Sequence, residues 1–112
     1  MREESSSRTV ETGVVTMNDA GALEAVGSGV SRNVDVFSPY GYSYSLPAGE
    51  KMLMAENGAS QAGLGVMMNE SVKTGEIKIA NPFGAYIYLK EDGSVVINGL
   101  TVTKNGEVIM NG

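Results

Sequence analysis

The chain has 112 residues and a formal net charge of −5, and it contains neither Cys nor His. Their absence excludes disulfides, cysteine nucleophiles, histidine acid–base catalysis and the usual kinds of zinc site. The 15 Gly and 3 Pro residues are spread so evenly beyond residue 12 that a typical helix of roughly 11–12 residues does not fit between them. We therefore expect an all-β fold.

Charge and hydropathy narrow the class of protein further. The eight basic and 13 acidic residues are interspersed and form no basic stripe of the kind that nucleic-acid-binding proteins carry. Residues 1–8 are polar and Ser-rich, without the apolar stretch of a secretion signal, and no window approaches the ~20 apolar residues of a membrane-spanning helix. These features predict a disordered N-terminal tail over residues 1–8 and synthesis in a cytoplasm.

Residues 9–69 are expected to form the first domain. Short apolar segments with β-strand alternation are separated there by turn residues such as Asn18–Gly21, Pro39–Gly41 and Pro47–Glu50. The first predicted strand runs from Val10 through Val15 to the Asn18–Gly21 turn, and the others cover Leu23–Val26, Val30–Phe37, Tyr42–Leu46, Lys51–Ala55 and Gly63–Met68. Five or six strands in about sixty residues favour a small closed or nearly closed barrel, and an OB-like barrel is the first choice.

The C-terminal part of the chain contains an internal repeat. Ile87–Gly99 and Leu100–Gly112 superpose without a gap at an offset of 13 residues. Each copy reads as strand, turn, strand, turn, with Gly93 and Gly106 at equivalent tight turns, where a glycine adopts positive φ at little cost. Apolar side chains at alternate positions are expected to form one face, at Ile87, Leu89, Val95, Ile97, Leu100, Val102, Val108 and Met110.

Such a face needs a cover. Strands of about five residues cannot seal an apolar face by themselves, and isolated hairpins are marginal in water. The economical solution is that copies of the chain supply the missing walls, so residues 76–112 are expected to form an intertwined trimeric β-prism or β-helix, joined to the barrel by a linker over residues 70–75. The alternative left open by the residues alone is that the last hairpins add to a monomeric sandwich.

A longer motif supports the trimer. The segment Phe37–Glu50 reads FSPYGYSYSLPAGE, and it is followed by the apolar segment Lys51–Ala55, the turn Asn57–Ser60 and the Gly- and Val-rich segment Gly63–Met68. This order resembles the barrel domain of the phage Mu-type baseplate spike proteins, the baseplate assembly protein V-like family, in which a trimeric β-helical spike follows the barrel. The resemblance covers roughly residues 9–112.

The resemblance implies a function, partners and a location. It implies a non-enzymatic virion structural protein in the tail baseplate of a contractile phage or prophage-derived particle, synthesised in the cytoplasm of a bacterial host. Its partners would be two further copies of itself and other baseplate or tail-tube proteins, with no nucleic acid, and membrane contact stays open. The His-x-His pair that binds iron at the tip of many such spikes is absent, so that metal ion is not carried over, and no cofactor is expected.

Aromatic residues suggest the main alternative. Phe37, Tyr40, Tyr42 and Tyr44 could form a base-stacking platform on an OB-like barrel. The runner-up function is accordingly a small binding module for single-stranded nucleic acid or glycan. Aromatic residues at alternate strand positions pack in cores and interfaces more often, and Tyr suits interfaces because its ring is apolar and its hydroxyl finds a partner. Subunit contacts are therefore expected at Tyr40, Tyr42, Tyr86 and Tyr88.

Other groups of residues are assigned structural roles rather than functional ones. Met52, Met54, Met67 and Met68 are expected to fill gaps in the barrel rather than bind a soft metal. The Asp92–Gly93 and Asn105–Gly106 pairs are interpreted as turns, since neither loop gathers the six or more oxygen ligands that calcium takes. No nucleophile elbow, phosphate-binding loop or complete dinucleotide motif occurs, so the sequence predicts no enzyme and no catalytic residue.

Overall fold

The structure is a computed structural model that describes residues 10–110. These residues are all-β, which confirms the predicted class, and they contain eleven strands in two sheets. The chain divides into two compact units, Met1–Met68 and Asn69–Gly112. The predicted disordered tail, residues 1–8, and the last two residues of the repeat lie outside the described residues.

The N-terminal unit contains a six-stranded sheet. Its strands are β1 (Val10–Asp19), β2 (Ala22–Val26), β3 (Val30–Ser31), β4 (Asp35–Val36), β5 (Lys51–Asn57) and β6 (Ser60–Val66). Their order across the sheet is β3-β2-β1-β5-β6-β4, and all neighbours are antiparallel except β4, which runs parallel to β6.

The two edges of this sheet are close together in the chain. The edge strands β3 and β4 are separated only by residues 32–34, which limits the distance between Ser31 and Asp35 to about 14 Å. Six strands laid flat would place these edges about 24 Å apart, because neighbouring strands lie about 4.8 Å apart. The sheet therefore curls strongly, although no hydrogen-bonded ladder closes it into a barrel.

The predicted strand Val30–Phe37 is interrupted, and this prediction was wrong. Asn33 has a φ of 52°, which breaks the extended conformation between β3 and β4. The amide of the buried Val34 donates a hydrogen bond to the carbonyl of Leu23 at 3.0 Å. The segment thus leaves β2 and joins β6, so that one predicted strand serves both edges of the sheet.

The predicted strand Tyr42–Leu46 does not form either. A turn precedes it, in which the Tyr42 amide donates to the Pro39 carbonyl and Gly41 has a φ of 89°. The segment is then held by a side chain rather than by a ladder: the Asn18 amide group donates to the Ser45 hydroxyl at 2.9 Å and to the Leu46 carbonyl at 2.8 Å. Alternating sequence alone could not reveal this anchor, which lies 27 residues away.

The core of the N-terminal unit is small and contains methionine. Met52 and Met54 on β5 are fully buried, and they pack with the buried Val15, Leu23, Ala25, Val34 and Leu46. Glycines make room for them: a Cβ on Gly13 would lie 2.6 Å from the Met54 methyl group, and one on Gly63 would collide with the Met52 sulfur. The predicted packing role is confirmed for Met52 and Met54. The predicted packing role was wrong for Met67 and Met68, which come directly after β6 in the chain and are mostly exposed.

The C-terminal unit is a five-stranded antiparallel meander. Its strands are β7 (Ile77–Ala80), β8 (Tyr86–Leu89), β9 (Val95–Ile97), β10 (Leu100–Val102) and β11 (Val108–Met110). Their order across the sheet follows the chain. Each strand is only three or four residues long, so the sheet is a ribbon about 10–14 Å wide.

Tight turns set the register of this ribbon. In the β8–β9 turn the Gly93 amide donates to the Lys90 carbonyl, and in the β10–β11 turn the Gly106 amide donates to the Thr103 carbonyl. Both glycines have a φ near 88°, as the 13-residue repeat predicts. The β9–β10 turn is the two-residue pair Asn98–Gly99, with both φ values positive, which matches the twist of the strands that it joins.

Candidate self-association surface

One face of the C-terminal sheet collects the apolar side chains. Paired residues point to the same face of a sheet, and successive residues alternate between faces. By register, the eight residues predicted from the repeat all lie on one face, and Ile77 and Ile79 on β7 extend it. We call this the apolar face, and its members are Ile77, Ile79, Ile87, Leu89, Val95, Ile97, Leu100, Val102, Val108 and Met110.

The apolar face is substantially exposed in the single chain. Exposed fractions rise from 39% at Leu89 to 79% at Met110, and Val95, Leu100 and Val102 are half-buried. The seven most exposed members together amount to about 3.7 fully exposed side chains. Natural proteins rarely leave a contiguous apolar surface of this kind without a use, and it typically marks an interaction site.

The opposite face is mixed. By register it carries Lys78, Tyr86, Tyr88 and Thr101 together with the apolar residues Ala80, Val96 and Ile109. Tyr86 and Tyr88 lie there, with the Lys78 ammonium group 5.2 Å and 5.5 Å from the centres of their rings. The Lys78 ammonium group also forms an ion pair with the Glu70 carboxylate. Because Tyr86 and Tyr88 face away from the apolar face, the structure does not bring these two predicted contact residues together with the other eight.

A buried carboxylate holds the start of the sheet. Glu76 is only 8% exposed, and its two oxygens accept hydrogen bonds from the Tyr88 hydroxyl and from the Glu91 amide, the latter at 2.8 Å. The Tyr88 hydroxyl, followed by the Glu91 amide, lowers the pKa of Glu76 below its ordinary value because both donors stabilise the carboxylate. The same bond raises the pKa of Tyr88.

Residues 70–76 are tied to the ribbon by additional pairs. The Lys73 ammonium group lies 3.6 Å from the Glu91 carboxylate, and Lys78 pairs with Glu70. Together with Glu76, these contacts attach the segment before β7 to the β8–β9 turn. The attachment gives the ribbon a polar support that the apolar pattern did not predict.

The other predicted contact residues lie in the N-terminal unit. Tyr40 is fully exposed at the tip of its turn, and Tyr42 and Tyr44 are about half-exposed. A shallow cleft of about 210 Å³ is lined by Val36, Ser38, Tyr42, Ser43 and Tyr44. None of the described residues that line this cleft is charged, and no charged residue occurs in the sequence between Val36 and Gly49.

Sequence reasoning missed several residues of interest. Ile77 and Ile79 could have been identified from the sequence, because Ile77, Lys78 and Ile79 alternate apolar and polar residues as the strands of the later repeat do. Phe83, which is 90% exposed at the β7–β8 turn, sits in a Pro-Phe-Gly sequence that signals a turn but not an exposed side chain. Glu76 carries no local signal, because its partners are 12 and 15 residues away.

Residues 10–110 show neither a candidate metal site nor a candidate membrane-spanning helix. Within that range no three or more His, Cys, Asp or Glu residues cluster in a way that could hold a metal ion. The same part of the chain contains no helix with the length and apolar character needed to cross a membrane.

Comparison with known proteins assigns no relationship. The sequence matches no model of a protein family, and a search among curated proteins finds no similar sequence. The apolar face and its surroundings are therefore the basis for a functional proposal.

Proposed function

We propose that this chain is a structural component of a contractile phage or prophage tail baseplate, a trimeric central spike-like protein. The observation that carries the proposal is the apolar face of the C-terminal ribbon, on which ten side chains share one side and none is buried. Two features of the sequence support the same assignment: the 13-residue repeat, and the order of motifs from Phe37 onwards that resembles the spike family.

Removing the apolar face from water would release free energy. Burying a fully exposed aliphatic side chain is worth about 1.5–3 kcal/mol, so 3.7 equivalents contribute about 6–11 kcal/mol per chain. This gain is the driving force that the apolar face offers for self-association.

The width of the ribbon favours three copies over two. Two ribbons packed face to face would lie about 10 Å apart, which is close to their own width of about 10–14 Å, so water would reach the core along both open sides. Three ribbons around an axis cover one another's sides and form a closed prism. Such a prism leaves the strand ends at its corners, where the turns lie, and its apolar side chains inside.

The mechanism of a spike of this kind is mechanical. A closed prism resists bending because its strands are held by ladders within each chain and by a shared apolar core between chains. The N-terminal unit would form a collar around the axis and bind other baseplate or tail-tube proteins. When the interrupted β3 and β4 are counted as one strand, the sheet of the N-terminal unit has five strands and a partly open curl. An OB-like barrel has the same two features, which supports this part of the proposal.

Immunogold electron microscopy of contractile tail particles tests this function. Antibody raised against this chain should label the baseplate on the tail axis, and antibody absorbed with the purified chain should not. Labelling that is absent from intact and disassembled tails alike would contradict the proposal.

The second candidate function is a binding module, and the exposed aromatic residues favour it. Tyr40, Tyr42 and Phe37 present ring surface beside the uncharged cleft of the N-terminal unit. The lack of basic side chains there suits a neutral glycan better than single-stranded nucleic acid, which needs a positive groove. Titration with neutral oligosaccharides and, at low salt, with oligonucleotides distinguishes the candidates, since a spike component should bind neither.

A further inference from the structure

The turn between β7 and β8 presents Phe83 on a rigid support. The side-chain oxygen of Asn81 accepts hydrogen bonds from the Phe83 amide at 3.0 Å and from the Ala85 amide at 3.1 Å. The Asn81 amide donates to the Ala85 carbonyl, and Gly84 closes the turn with a φ of 93°. Pro82 restricts the backbone further, so little conformational entropy remains to be lost when Phe83 is bound.

Phe83 is the most exposed large apolar side chain among the described residues of the C-terminal unit, at 90%. A single exposed apolar residue is ordinary on a protein surface. An exposed aromatic side chain on a turn whose backbone is held by hydrogen bonds is different, because aromatic residues that fill a partner's pocket are the typical anchors of interfaces. The surrounding sequence, from Ile79 to Leu89, contains no charged residue, so no charge would be desolvated on docking.

The exposed area of the apolar face is smaller than the area that a stable interface buries, and Phe83 adds to it. At about 25 cal/mol per Å², the 3.7 equivalents correspond to about 220–440 Å² per chain. A stable interface buries about 800 Å² per partner, so the apolar face alone supplies about a quarter to a half of that area. Phe83 adds roughly 140–220 Å², given that an aromatic side chain buries 150–250 Å².

We propose that Phe83 is an anchor that each copy inserts into the apolar face of a neighbouring copy, an inference that rests on the proposed self-association. The turn and the apolar face are both uncharged and both exposed in the same unit, so one copy offers the anchor and the next offers its socket. A contact of this kind joins different surfaces of two copies. It therefore closes into a ring when the rotation between copies allows, as a threefold axis does.

The first test compares the two phenylalanines of the chain. Phe83→Ala should raise the concentration at which the full-length assembly half-dissociates by at least about 30-fold, the effect expected for an interface anchor. Phe37→Ala removes an equally large side chain that is 54% exposed in the other unit, and it should change this concentration less than about threefold. Circular dichroism of each variant checks that the β-structure is retained.

The second test reports the surroundings of residue 83. Because the chain contains no Trp, Phe83→Trp introduces a single tryptophan, whose fluorescence can be excited apart from that of the five Tyr residues. Its emission should lie at shorter wavelength in the assembly than after dilution below the dissociation concentration. A photo-crosslinking phenylalanine analogue at residue 83, in an equal mixture of ¹⁴N- and ¹⁵N-labelled chains, should form crosslinks to residues of the apolar face. About half of these crosslinks should join differently labelled peptides, as random pairing between chains requires, whereas crosslinks within one chain would never do so.

The outcomes separate this inference from the proposed function. A full-length chain that assembles while Phe83→Ala has no effect, or while residue 83 stays solvent-exposed, overturns the anchor and leaves self-association intact. A chain that remains monomeric at every concentration overturns both. Crosslinks confined to a single chain also overturn the anchor.

Discussion

The two units of this molecule use short β-strands in opposite ways. Between residues 10 and 68, the N-terminal unit buries eight hydrophobic residues, seven of them in one cluster around Met52 and Met54. In the C-terminal unit, as far as residue 110, the only buried residues are polar, Glu76 and Ser94. Alternating apolar sequence occurs in both, so the pattern alone does not decide whether a sheet completes its own core.

Strand length explains this contrast. β1, β5 and β6 have seven to ten residues, long enough for the sheet to curl until its edges are joined through residues 32–34. The C-terminal strands have three or four residues, and a ribbon so narrow has no second layer to pack against within its own unit. A short-stranded meander is therefore left with an apolar face that the other described residues of its own unit do not bury.

The largest expected effect comes from a charge on the apolar face. Ile97→Asp should weaken self-association by more than about 100-fold, because burying an unpaired carboxylate costs several kcal/mol. Ile109 has nearly the same exposure, 48% against 43% for Ile97, and lies on the opposite face of the ribbon. Ile109→Asp is therefore the matched control.

Sedimentation velocity measures both variants. If Ile109→Asp dissociates the assembly as strongly as Ile97→Asp, the two faces are equivalent and the apolar face loses its special role.

A core substitution should affect the N-terminal unit next most strongly. Met52→Ala should lower the free energy of unfolding by about 2–5 kcal/mol, because it leaves a cavity in a fully buried site. Met68→Ala should change it by less than about 0.5 kcal/mol, since Met68 is 86% exposed. Urea titration followed by tyrosine fluorescence provides the measurement, and equal losses for the two variants would contradict the assigned core.

Turn glycines of the repeat should show a smaller effect. Gly93→Ala should destabilise the C-terminal unit by roughly 1–2 kcal/mol through its positive φ, with an added contact because a Cβ would lie 2.9 Å from the Lys104 Cβ. Gly106→Ala carries the same backbone strain without any close neighbour. Thermal unfolding should therefore rank Gly93→Ala as the more destabilised variant, and the reverse order would show that the two turns differ in some other way.

The smallest expected effect is a pH dependence of the C-terminal unit. The pKa of Glu76 is lowered in the folded chain, so its carboxylate stabilises the fold above the unfolded pKa, and this contribution is lost as the pH falls through the folded pKa. Glu76→Gln should flatten this acid dependence. The remaining slope comes partly from Asp92, because the Ser94 hydroxyl lowers the pKa of that carboxylate as well.

Urea midpoints compared between neutral and acid pH give the measurement. Tyr88→Phe removes the hydroxyl that donates to Glu76 and should flatten the acid dependence in the same direction. An unchanged acid slope in Glu76→Gln would show that the Tyr88 and Glu91 contacts do not stabilise the folded chain.

Local sequence predicted the parts of the fold that depend on local chemistry. The turns at Gly93 and Gly106 and the shared face of Ile87 and Leu100 follow from residue type and two-residue periodicity, and the register confirms them. The interruption at Asn33 and the loss of the strand Tyr42–Leu46 depend on distant contacts with Leu23 and Asn18. The local sequence cannot predict such contacts, because they form only when the curled sheet brings distant segments together.

The residues of the candidate surface were likewise predicted only where the local sequence pattern determines them. Alternation identified eight members of the apolar face, while the Glu76 contacts and the exposure of Phe83 required coordinates. The assignment of three copies and of a baseplate role rests on the repeat, on the resemblance and on the narrowness of the ribbon, and it stays a prediction.

Sedimentation equilibrium of the full-length chain tests the central claim most directly. Copies of this molecule that cover one another's apolar face should give a mass three times that of the 11.7 kDa chain, and dilution should return the monomer. A mass of 11.7 kDa at every concentration up to the solubility limit would contradict the account.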